Sequence, residues 1–110
     1  MESEFGFRVT KKAEADLDDI VSYIAIELSN SQAELDFVDK LQKMIGEVQL
    51  FPESGSLVNN EFLSGFAIKK KLVGNYIMYY LPDFEEKEII VLRIIYGKRN
   101  MDEVFRKIET

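Results

Sequence analysis

The spacing of apolar residues changes character once along this chain, and the change limits the fold more than any other feature. Between Ala13 and Val48 apolar residues recur every three or four positions; from residue 66 they follow a period of two. The first half is therefore helical and the second half is sheet. Ala13, Leu17, Ile20, Val21, Ile24 and Leu28 form one stripe, with Thr10 placed to cap its start. Glu14, Asp16, Asp18 and Asp19 read as a solvated acidic face that also suits the helix dipole. Ser29-Asn30-Ser31 interrupts the stripe, and Ser31 with Glu34 fits a capping box. Phe37, Val38, Leu41, Met44, Ile45 and Val48 make the second stripe, which Pro52 stops. Two such helices on a short link predict an αα-hairpin.

Residues 5–9 alternate like a short strand, and 52–65 read as a surface loop. Phe66 to Val73 predicts a strand, Gly74-Asn75 a two-residue turn, and Tyr76 to Leu81 the returning strand. Pro82-Asp83 opens a longer turn. Glu88 to Tyr96 predicts a strand buried on both faces, because Ile89-Ile90-Val91-Leu92 is unbroken. Gly97 ends it, and Asn100 with Glu103 would cap a short C-terminal helix carrying Met101, Val104, Phe105 and Ile108. The order predicts one α+β domain over residues 1–110. In it an N-terminal strand and a two-helix hairpin pack on a mainly antiparallel sheet of about four strands, followed by a short C-terminal helix.

Composition removes whole classes of chemistry. The chain has neither cysteine nor histidine, so disulfides, thiolate metal sites and imidazole catalysis are out, and nothing points to a cofactor or a metal. No apolar run approaches the roughly 20 residues of a membrane span, and the acidic start is unlike a signal peptide. A cytoplasmic protein without membrane contact is expected. The net charge of −6 hides an asymmetry. Residues 1–53 hold five Lys/Arg against twelve Asp/Glu; residues 54–110 hold nine against eight.

Three basic features carry candidate chemistry. Arg93 stands on a strand whose alternation groups it with Ile89, Val91 and Ile95. It either pairs with a carboxylate on a neighbouring element or belongs to a site. Lys98 and Arg99 follow Gly97 at a strand end, as a phosphate clamp would, or as a plain solvated turn. Lys69 and Lys71 share one face of their strand and Lys70 takes the other. They read as nucleic-acid-binding cations or as protection of a sheet edge.

The stretch Leu92-Arg93-Ile94-Ile95-Tyr96-Gly97-Lys98-Arg99-Asn100 resembles the last strand of the RelE/ParE superfamily of type II toxin–antitoxin toxins. Val73 to Tyr80 is similar to that family's hairpin, Ala13 to Tyr23 to its first helix, and Phe51-Pro52 to the end of its second. The resemblance implies a growth-inhibiting toxin held by a cognate antitoxin. RelE-like members cleave mRNA on the ribosome; ParE-like members inhibit DNA gyrase. For the cleaving reaction Lys69 and Arg99 match the RelE pattern; the chemistry of the step adds Arg93 as a third charge-holding residue and Tyr96 as the proton-exchanging one, with Lys69, Lys71, Lys98 and Arg99 expected on the RNA. The chain departs from the RelE pattern at Ala67, Tyr76 and Phe105. The clustered cations tip the expectation to ribosome-dependent mRNA cleavage, with gyrase inhibition next and a non-catalytic protein-binding module third. The antitoxin is expected on the basic sheet region, anchored near Leu63, Phe66 and Phe105.

Overall fold

A computed structural model describes residues 5–27, 31–58 and 67–97. Strand β1 (Gly6–Val9) leads into helix α1 (Lys11–Glu27), and α2 (Ser31–Leu50) follows. Strands β2 (Ser56–Leu57), β3 (Lys69–Val73), β4 (Tyr76–Asp83) and β5 (Glu88–Tyr96) complete a sheet ordered β1-β5-β4-β3-β2. Pairing is antiparallel except between β1 and β5. This is the expected α+β architecture, with the helices on one face. The strand count is five because the loop expected over 52–65 contributes β2, which pairs Ser56 with Lys70 and Leu57 with Lys69. The predicted C-terminal helix, Leu63, Phe66 and the Ser31 side chain lie outside the described residues. No helix among the described residues is long and apolar enough to cross a membrane.

Local chemistry explains the joints. Thr10 caps α1: its hydroxyl oxygen accepts from the Ala13 N–H at 3.1 Å and its O–H donates to the Leu92 carbonyl at 3.0 Å. One residue thus starts the helix and ties it to β5. Gly74 has φ +62°, which the first central position of a type II′ hairpin turn requires. In the β4–β5 turn the Asp83 carboxylate accepts from the Glu85 and Glu86 N–H groups.

The helix-side core joins Ala13, Ile20, Ile24, Phe37, Leu41, Ile45 and Val48 to Val73, Met78, Tyr80, Ile89, Val91 and Ile94. A smaller cluster, Ile68, Tyr79 and Ile95, occupies the other face. Strict alternation had grouped Ile95 with Ile89 and Val91. The register corrects this: Tyr79 faces Arg93 and Tyr80 faces Val91, leaving Leu92 as an extra residue. That bulge reverses the phase of β5, so Ile94 replaces Ile95 on the helix side.

Candidate functional site

Strand β5 carries Arg93 to a place where its guanidinium is buried against α1. Nε and Nη2 donate to the two Asp16 carboxylate oxygens at 2.8 and 2.9 Å. The Ile94 N–H donates to the same carboxylate at 2.9 Å. The hydrogen bonds that Arg93 donates to Asp16 hold its pKa above its ordinary value, against the opposing effect of burial. Of the two readings the sequence left open for Arg93, the carboxylate partner is the one present. Asp16 itself is 8% exposed, so it does not belong to the solvated acidic face expected of α1. The signal was available: Asp16 falls three residues after Ala13 and four before Ile20, in phase with the apolar stripe.

On β3, Lys69 lies opposite Tyr80 and Lys71 opposite Met78, so both point to the helix side; Lys70, opposite Tyr79, points to the other. Lys71 forms an ion pair with Glu47 of α2. Lys69 is half-buried and makes no ion pair among the described residues. Strand β2 covers Lys69 and Lys70, so this stretch of β3 is not an edge.

Tyr96 is opposite Tyr76, at the end of the sheet near the Gly74-Asn75 turn. Lys69 is opposite Tyr80, four residues further along β4. The two are therefore about 13 Å apart along the strand direction, and on strands separated by β4. Lys98 and Arg99 lie outside the described residues. Among the described candidates, then, Arg93 is committed to Asp16, Lys71 to Glu47, and Lys69 and Tyr96 stand apart.

What the sheet does assemble at the Tyr96 end is an aromatic groove. Tyr76 packs edge-on against Tyr96 (centroids 5.8 Å apart) and against Phe37 (5.3 Å). With Tyr23, Ile24 and Val73 these rings line a cavity of about 720 Å³, rimmed by Asp36 and Lys40. Burial, then the nearby Tyr23 and Tyr96, push the Tyr76 hydroxyl above the usual tyrosine pKa, so it keeps its proton at neutral pH. Tyr76, which the sequence marks only as a departure from the RelE pattern, joins both halves of the chain through Phe37 and Tyr96. Among the described residues no cluster of acidic side chains could hold a metal ion.

Residues 7–101 match the model of the family described as the ParE toxin of the type II toxin–antitoxin system, parDE. Among solved structures the chain is similar to one from the RelBE2 toxin–antitoxin complex of Mycobacterium tuberculosis, at 19% identity and a TM-score of 0.62, covering 86% of this chain and 99% of that one. It is also similar to one from the chromosomal ParDE system of P. aeruginosa, at 22% identity and a TM-score of 0.66, covering 86% and 98%. These likenesses establish the shared fold. No curated protein sequence matches significantly.

Proposed function

Given that the chain belongs to the family of ParE toxins of type II toxin–antitoxin systems, we propose that it arrests growth by binding a protein target, DNA gyrase, and that a cognate antitoxin neutralises it. The observation that carries the choice of target is the separation of Lys69 from Tyr96. Cleaving a phosphodiester needs a proton-exchanging group and cations converging on one phosphate. Here those two residues stand four positions apart along the strands and on either side of β4, while Asp16 and Glu47 engage the guanidinium of Arg93 and the ammonium of Lys71. A protein target asks for less. An exposed aromatic surface such as Tyr23 and Tyr96 suits it, since aromatic anchors dominate protein interfaces.

Ribosome-dependent mRNA cleavage is the second reading. It is favoured by Lys69, which no carboxylate among the described residues engages, and by Lys98 and Arg99 following Gly97. Two assays on the purified chain separate the readings. Loss of gyrase supercoiling with intact mRNA in a translation extract is the expected result. Ribosome-dependent cuts mapped by primer extension would establish the nuclease instead. Neither effect would leave a non-catalytic binding module.

A further inference from the structure

The aromatic groove forms where both helices meet the Gly74-Asn75 turn. Tyr23 and Tyr96 stand about half exposed in it, and Ile24 and Val73 behind them are buried. The rings are inclined by 70° between Phe37 and Tyr76 and by 66° between Tyr76 and Tyr96. Neither pair stacks face to face, which leaves electron-rich ring faces for a ligand. Aromatic walls over an apolar floor suit a long side chain with an apolar stem and a polar head.

The rim says which head it is. Asp36 and Lys40 stand one turn apart on α2, the spacing at which an acid and a lysine ordinarily pair. Neither forms an ion pair among the described residues, although Asp39 and Lys43, at the same spacing, close to 3.1 Å. The Gln32 amide donates to Asp36 Oδ1 at 2.9 Å instead, and Oδ2 has no partner among the described residues. Asp36 therefore offers a held, uncompensated carboxylate beside the rings. The two helices that bear the groove carry four lysines against nine Asp and Glu, so their field draws in a cation.

We propose that the groove receives an arginine side chain of gyrase, its guanidinium laid on the tyrosine rings and donating to the Asp36 carboxylate. The proposal rests on the gyrase reading, which supplies the partner. Ring faces and carboxylate attract the same group, and a planar guanidinium meets both better than an ammonium does. A protein that holds DNA presents arginines to phosphate, so the target has the group to give. Lys40 separates this occupant from an anionic one. For an arginine it is a like charge that limits affinity; for an acidic segment or an RNA phosphate it would be the anchor, and Asp36 the obstacle.

The test uses the full chain, purified gyrase, and a small probe, Nα-acetyl-arginine N-methylamide, with the citrulline compound as its neutral isostere. The arginine probe should shift the Tyr76 and Tyr96 ring resonances saturably and bind about tenfold more tightly than the citrulline one. Asp36→Lys should erase that preference and weaken gyrase binding about tenfold or more. Asp39→Lys makes the same change in net charge but does not line the groove, so it should leave both as they were. Lys40→Ala should tighten both about twofold. All three positions are exposed, so the variants fold. Equal binding of the two probes overturns the proposal, as does equal weakening by Asp36→Lys and Asp39→Lys. Weaker gyrase binding by Lys40→Ala also overturns it and assigns the groove to an anionic ligand. Uptake of the arginine probe by a chain that leaves gyrase unbound and supercoiling intact sinks the gyrase reading, and with it gyrase as the source of the arginine. Gyrase binding without any arginine preference overturns the arginine alone.

Discussion

The Arg93 guanidinium and the Asp16 carboxylate meet in two hydrogen bonds across the seam between α1 and β5, although 77 residues separate them. Both are buried, and the Ile94 N–H satisfies the carboxylate further. Removing one partner strands the other's charge away from water. Asp16→Ala and Arg93→Ala should each cost about 3–5 kcal/mol. The double change Asp16→Leu with Arg93→Met should recover most of that loss. Urea denaturation of the three variants measures it, and a cost below about 1 kcal/mol for either single variant would show the pair to be loosely held.

Tyr80 makes stability fall at alkaline pH. Its O–H donates to the Pro52 carbonyl at 3.0 Å and its oxygen accepts from the Gly55 N–H at 2.9 Å. Burial is the main cause that pushes its pKa above the usual 10.0. Burial raises Tyr79 in the same way. The folded chain therefore keeps protons that the unfolded chain gives up. Stability is complete below pH about 10 and declines as pH climbs through the raised values. Tyr80→Phe should cost about 1–2 kcal/mol at neutral pH and flatten the alkaline decline, read from melting temperature against pH.

Gly55 permits that contact. A Cβ there would sit 2.5 Å from the Tyr80 hydroxyl oxygen and 2.7 Å from the Lys70 carbonyl oxygen. Gly55→Ala should therefore destabilise by about 1–3 kcal/mol, and combining it with Tyr80→Phe should cost less than the sum, because both act on one contact.

The basic strand gives a functional prediction. Lys71 is 17% exposed and its partner Glu47 is 46% exposed, so Lys71→Ala should cost about 1 kcal/mol, from lost stem packing as much as from the ion pair. If the target is a protein, growth arrest should survive Lys69→Ala with Lys71→Ala. Loss of arrest in that folded double variant would point to RNA as the target.

The element order was legible because it rests on periodicity, which local sequence encodes directly. The two helices, the Gly74-Asn75 turn and the strand through Arg93 follow from spacing alone. The phase of β5 was not legible, because Leu92 has the same apolar character as its neighbours and nothing local announces a bulge beside it. Asp16 was misread because acids near a helix start usually face water, and only the third dimension supplies Arg93. The partners of the candidate cations were not legible either. A list of cations says nothing about which carboxylates reach them, and Glu47 and Asp16 both come from the helices.

The parallel pairing of β1 with β5 also sets when the molecule comes into being. Residues 6–9 find their ladder only at residues 88–91, and Asp16 finds Arg93 only after β5 has been made. Contacts this distant in sequence are slow to close and impossible on a nascent chain still short of β5. Translation through residue 91 must therefore precede the native sheet. A harmful activity that depends on that sheet stays silent on the ribosome that makes it, and the interval is open to any partner already waiting in the cell.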